Sequence, residues 1–161
     1  NKYLPKNLLK LINQYDYKDL GNGREFISDS KKKEWFLNGK RHREDGPAIE
    51  NADGSKYWYL DGKQHREDGP AVEWADGSKM WYLNGNLHRE DGPAIENANG
   101  SKMWYINGKR HREDGPAVEY TDGSKSWWLN GKNHREDEWK KEVQKLKDSR
   151  SLKEHFRRFI K

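Results

Sequence analysis

The sequence predicts a mainly β protein, an elongated single-layer array of 23-residue antiparallel β-hairpin repeats with a short helical cap at each terminus. Three observations carry this expectation. The tetrapeptide His-Arg-Glu-Asp recurs at His42, His65, His88, His111 and His134, always 23 residues apart and with no insertion between copies. In every copy a short aromatic run such as Lys-Met-Trp-Tyr-Leu meets Asn-Gly or Asp-Gly, the dipeptides that accept the two positive φ angles of a type I′ turn. A strict period of this length marks units that stack on their neighbours rather than around one central core.

Taken in order, residues 1–22 open the chain as an N-terminal helical cap, with Leu8, Leu11, Ile12 and Tyr15 on one stripe and Pro5 in the first turn. Residues 23–137 form the array, a half repeat followed by five units. Gly-Arg-Glu-Phe-Ile-Ser from Gly23 fills the slot that Gly46 opens in the next unit, with Phe26 in the place of Ile49. Each unit then aligns a tryptophan (Trp35, Trp58, Trp81, Trp104, Trp127), a second aromatic (Phe36, Tyr59, Tyr82, Tyr105, Trp128) and an aliphatic residue (Leu37, Leu60, Leu83, Ile106, Leu129) ahead of its turn. Pro47, Pro70, Pro93 and Pro116 lack an amide hydrogen and belong at a strand start or a bulge. Alternation puts the tryptophan and aliphatic columns on the core face. The column Glu34, Tyr57, Met80, Met103, Ser126 varies freely, which places its face partly in water. Successive units add two strand spacings, roughly 9–10 Å.

Residues 138–161 are a basic C-terminal helical cap. Glu138 and Trp139 stand where the other units have Gly-Pro, and Asp137 is placed as the N-cap. Trp139, Val143 and Leu146 share one stripe, while Leu152, Phe156, Phe159 and Ile160 share another that is out of phase, so two short helices with a break near Asp148 are expected. Terminal helices cover sheet edges that would otherwise pair with other chains.

Only 31% of the 161 residues are hydrophobic, too few for a thick core, yet eight tryptophans and eight tyrosines concentrate the apolar area in large side chains. There is no cysteine, which excludes disulfides and thiolate chemistry. No apolar run approaches a membrane span and no leader is visible, so the expected location is the cytoplasm, or the host cytoplasm for a viral protein. Because the chain starts at Asn1, native residues can precede it.

The repeated His-Arg-Glu-Asp admits several readings. Metal binding needs several ligands around one ion, but each unit supplies one histidine and equivalent positions lie roughly 9–10 Å apart, so no metal and no cofactor are expected. Catalysis needs an asymmetric, water-excluding pocket rather than a constellation stamped along an open sheet. The favoured reading is a structural ladder of His42, His65, His88, His111 and His134 with Arg43, Arg66, Arg89, Arg112 and Arg135, the arginines meeting carboxylates across strands and the Asp45 column bonding its own turn. Residues 31–137 carry 18 Lys and Arg against 19 Asp and Glu, whereas residues 138–161 carry 9 against 4. A phosphate-binding array would be positive along its length, so nucleic-acid binding falls to the C-terminal helices.

A unit of this length carrying Trp-Tyr-Leu-Asn-Gly-Lys and Glu-Asp-Gly-Pro-Ala resembles the MORN repeat (membrane occupation and recognition nexus), above all its bacterial and viral variant form. The resemblance covers Gly23 to Asp137. It implies an elongated hairpin array without catalysis that acts as a scaffold or partner-binding surface, linked in some members to phospholipids. The invariant His-Arg-Glu-Asp is of a kind associated with phage and large-virus proteins.

The function expected from all this is a non-enzymatic protein-binding module that presents Phe36, Tyr59, Tyr82, Tyr105 and Trp128 to a protein partner. As a phage protein it would be a counter-defence or host-takeover inhibitor that sequesters or blocks a host protein. The alternative is nucleic-acid or anionic-lipid binding through the C-terminal helices, with Lys140, Lys141, Arg157 and Arg158 among their cations. A weaker one is an aromatic cage for a choline-like ligand. Back-to-back pairing into a homo-oligomer also fits the low apolar fraction.

Overall fold

The computed structural model describes residues 16–159, so the helix expected over Leu8, Leu11, Ile12 and Tyr15 lies outside the described residues. The first described element is a strand, Asp16–Gly21, paired antiparallel with Arg24–Ser28. This corrects the extent of the N-terminal helical cap. Gly21, Asn22 and Gly23 all take positive φ (76°, 53° and 74°), which makes the residues before the half repeat one arm of a hairpin rather than the end of a helix. The half repeat itself pairs Arg24–Ser28 with Lys32–Leu37, setting Phe26 opposite Trp35 with ring centroids 4.9 Å apart.

From there the chain builds an open, antiparallel thirteen-stranded sheet running from Asp16–Gly21 at one edge to Lys132–His134 at the other. Each internal unit contributes two very short strands to it, for example Val72–Glu73 and Lys79–Met80. The unit's Asn-Gly or Asp-Gly hairpin stands apart as a separate two-stranded wing, such as Tyr82–Leu83 with Asn86–Leu87. Both turn residues are left-handed there, Asn84 at φ 52° and Gly85 at φ 84°, as a type I′ turn requires.

The tryptophan is the pivot between sheet and wing. Trp81 donates its backbone N–H to Ala94 in the sheet direction (2.8 Å) and accepts from His88 in the wing direction (3.0 Å). The chain changes partners at that residue, which is why Trp58, Trp81 and Trp104 interrupt the strands on either side. Wings are tied in series by backbone bonds such as Arg89 N–H to Tyr105 O (3.1 Å) and Gly108 N–H to Leu87 O (2.8 Å).

Register assigns two rows to opposite faces of the sheet. One runs Glu34, Ile49, Tyr57, Val72, Met80, Ile95, Met103, Val118, Ser126, each directly opposite the next. The other alternates charge, Lys33, Glu50, Lys56, Glu73, Lys79, Glu96, Lys102, Glu119, Lys125, so every internal lysine of this row faces glutamates on both sides.

Among the described residues, the buried hydrophobic residues do not include the repeating tryptophans Trp35, Trp58, Trp81, Trp104 and Trp127. The buried ones are Ala48, Ile49, Ala71, Val72, Ala94, Ile95, Ala117 and Val118, the Ala-Ile/Val step after each Gly-Pro, together with Leu129, Trp139 and Val143 at the C-terminal end. The tryptophan column and Leu37, Leu60, Leu83 and Ile106 are half-buried, which corrects their assignment as the core face. The physical reason is position in the sheet: Ile/Val strands are flanked by strands on both sides, whereas the tryptophan sits where the chain leaves the sheet. Glu34, expected on a partly wet face, is 5% exposed and paired with Lys32 and Arg41.

The C-terminal element is one uninterrupted helix, Glu136–Phe159, not two. Nothing in Asp148–Ser151 breaks an α-helix, so the change of stripe leaves Leu152 and Phe156 exposed instead of bending the chain. The helix begins two residues earlier than expected. Arg135 occupies the cap position and accepts the Trp139 N–H at 2.9 Å, so Asp137 lies in the first turn, where its charge suits the helix dipole.

Candidate interaction surface

Four arginines, Arg43, Arg66, Arg89 and Arg112, repeat one geometry. In the third, the Arg89 guanidinium lies over the Trp81 ring, 4.0 Å from its centroid. Its Nε donates to Asp91 (2.9 Å), and its Nη1 donates to the Pro93 carbonyl (3.2 Å) and to Glu96 (2.9 Å). The fourth side is Gly92: a Cβ built there would lie 3.0 Å from the guanidinium carbon. Glycine is needed here for space, not for a left-handed backbone. Arginine is needed because lysine has no planar face for the indole and no fork for the carboxylates.

This clamp gives a clean prediction. Gly69→Ala has no backbone penalty but crowds the pinned Arg66, and is expected to cost about 1–2 kcal/mol. In an Arg66→Lys background the same change should cost almost nothing, because the obstructing group is gone. Denaturant midpoints of the four proteins check this as a double-mutant cycle.

The histidines join units rather than strands within a unit. Asn107 donates its backbone N–H to His88 Nδ1 across the step to the next wing (3.1 Å), and Asp61, Asn84 and Asn130 do the same for His42, His65 and His111. The same Nδ1 lies 2.9 Å from Asn107 Oδ1, and Nε2 lies 3.7 Å from Glu90. A second inter-unit tie comes from the buried serines: Ser55 Oγ accepts from Ala75 N–H at 3.0 Å and Ser78 Oγ from Ala98 N–H at 2.9 Å.

The expected ladder of arginine and carboxylate is therefore present but mainly inside each unit. The side chains of the Asp45 column engage the arginine; in the full units the carboxylates that accept turn N–H groups are Asp53, Asp76 and Asp122, from Ser55, Ser78 and Ser124. The hydrogen bond and charge of the partner arginine hold Asp45, Asp68, Asp91 and Asp114 below the ordinary 3.8. Depressed folded-state values mean stability that is complete above the ordinary value and lost as pH falls through the folded one. Melting temperature should be level from neutral pH down to about 4 and then drop. Asn at all four positions should flatten that drop.

The last unit departs from the pattern in a connected way. Glu138 replaces glycine, so Arg135 cannot tuck in; its side chain is 75% exposed and bonds Glu138 instead. Trp139, standing in the proline slot, packs on the Trp127 ring that Arg135 leaves uncovered, at 4.7 Å and 48°. Its indole N–H donates to the Arg112 carbonyl (3.0 Å). Further along the helix, Arg150 forks onto both carboxylate oxygens of Glu113 at 2.7 Å each, holding that carboxyl below its usual range.

Between successive units the His-Arg-Glu-Asp-Gly-Pro segments bound a row of shallow clefts. Three of them are equivalent, with volumes of about 630, 550 and 390 Å³. The central one has Trp81 and Leu83 among its walls, Gly69 and Pro70 on one side, and Glu67, Asp68, Glu90 and Asp91 at its rim. Glu44, Glu67 and Glu90 are 84–86% exposed, while Glu113 under the helix is 21% exposed. These clefts were missed in the sequence. The available signal was that every unit keeps the glutamate of its His-Arg-Glu-Asp although, of that tetrapeptide, only arginine and aspartate take part in the clamp.

The aromatic column chosen for partner binding, Phe36, Tyr59, Tyr82, Tyr105 and Trp128, is half-buried throughout. Arg41 lies over Tyr59 (5.7 Å), and Arg110 lies between Tyr105 and Trp128, with its Nε on the Tyr105 hydroxyl at 2.9 Å. Burial raises the Tyr82 phenol above its ordinary value. Of the helix cations, Lys140 pairs with Glu136 (2.6 Å), while Lys141 and Arg157 are exposed; Arg158 follows in the same helix.

Comparison with protein-family models, curated proteins and solved structures found no match. Among the described residues no helix is long and apolar enough to cross a membrane, and no group of three or more His, Asp or Glu is placed to hold a metal ion.

Proposed function

We propose that the chain is a non-enzymatic protein-binding array, a rigid MORN-like repeat module whose regularly spaced side chains engage a protein partner. The observation that carries this reading is the division of labour inside each unit. Arginine, aspartate, glycine and histidine are committed to holding the unit and its neighbour, while the wing aromatics and the cleft glutamates are presented in series with less to do. A surface already ordered by backbone bonds and clamps binds with little loss of entropy. On the phage-like character of the repeat, the partner is a host protein that the array sequesters or blocks.

The test is capture from the native host with the full chain and with Tyr82→Ala/Tyr105→Ala, folding of both being checked by circular dichroism. The reading expects a specific partner lost with the double substitution; a partner captured equally by both would contradict it. The exposed Lys141 and Arg157 favour a second reading, binding of nucleic acid or anionic lipid by the helix. That reading expects Lys141→Glu/Arg157→Glu to abolish binding to single-stranded RNA or phosphatidylserine vesicles and leave protein capture unchanged.

A further inference from the structure

We infer that the open clefts receive the exposed second half of the C-terminal helix of another copy of this chain, so that molecules associate head to tail. The helix already shows what this edge accepts. Where it lies along Arg112–Pro116 of its own chain, Gly115 and Pro116 become fully buried, whereas Gly46, Pro47, Gly69, Pro70, Gly92 and Pro93 at the open steps are half-buried. It brings an aromatic side chain onto the tryptophan and aliphatic wall, Trp139 against Trp127 and Leu129, and an arginine onto the rim glutamate, Arg150 on Glu113.

Residues 152–157 of the helix carry the same combination on an exposed stretch. Leu152 and Phe156, one turn apart, are 59% and 62% exposed, and the exposed cations Lys153 and Arg157 lie beside them. The open clefts supply a related complement: Leu60 or Leu83 with the Trp58 or Trp81 ring, one face of which Arg66 or Arg89 covers, and Glu44, Glu67 and Glu90 exposed at the rim. Charge points the same way. Residues 138–161 carry 9 Lys and Arg against 4 Asp and Glu, and residues 31–137 carry 18 against 19. A helix-to-cleft contact joins two different surfaces, so it leaves one free cleft edge and one free helix on every complex and extends unless a ring closes.

Sedimentation velocity of the full chain over a roughly hundredfold range of concentration tests this. Mass should grow with concentration and shrink with added salt. Two variants, Glu67→Lys/Glu90→Lys and Leu152→Asp/Phe156→Asp, change only exposed side chains, and each should weaken self-association by at least about tenfold. Because one variant keeps a working helix and the other a working array, mixing them should restore association between the two variants without open-ended growth. A chain that stays monomeric at every concentration overturns the inference. So does self-association that survives Glu67→Lys/Glu90→Lys, the outcome if the helices pair with each other or the sheets pair back to back.

Discussion

Replacing Trp139 with alanine is expected to lower stability by about 3–5 kcal/mol, the range for removing a large buried aromatic side chain. The indole is 6% exposed, covers the Trp127 ring, closes the small core with Leu129 and Val143, and satisfies the Arg112 carbonyl. Its loss uncovers the end of the stack, and in a one-dimensional array an uncapped terminal unit frays first. Amide exchange should therefore quicken in Lys125–Leu129 and Lys132–His134 before it does in the units around Trp58 and Trp81. Arg150→Ala is the control: it removes an ion pair whose arginine is exposed and should cost no more than about 1 kcal/mol.

The second large effect is expected at Arg89→Ala, about 2–3 kcal/mol. One substitution removes the cation over Trp81, three hydrogen bonds and the partner of both Asp91 and Glu96. Arg135→Ala replaces the same residue of the same tetrapeptide and should fall within about 0.5 kcal/mol of wild type, since Arg135 is exposed and covers no tryptophan. Chemical denaturation of the two variants separates a role set by local sequence, which would make them alike, from one set by the clamp, which makes them differ.

That contrast also shows what could be read from the letters alone. The hairpins were legible because a type I′ turn is a local event: Asn84-Gly85 and its copies require positive φ wherever they occur. The period was legible because stacking demands the same side chains at every step. Burial was not, since alternation within Lys-Met-Trp-Tyr-Leu assigns faces but not which strand is flanked on both sides. The Ala94-Ile95 step, small and aliphatic in every unit, was the better marker of the core.

The single helix was misjudged for a different reason. Its second stripe reads as a core face, yet Leu152 and Phe156 are 59% and 62% exposed. The strand Asp16–Gly21 could be traced to Gly21-Asn22-Gly23, a turn signature ahead of the half repeat. The exchange of Gly-Pro for Glu138-Trp139 was visible as a break in pattern, but its meaning depends on knowing that glycine makes room for a guanidinium.

The most direct measurement is small-angle X-ray scattering of a chain lacking residues 66–88, a deletion that joins His65 to Arg89 and restores an unbroken His-Arg-Glu-Asp junction. If every step is interchangeable, the shortened protein folds cooperatively and its longest dimension decreases by roughly 9–10 Å, two strand spacings. An unfolded chain, or a folded one of unchanged length, would contradict the claim that identical clamped units, stacked in series, make this molecule.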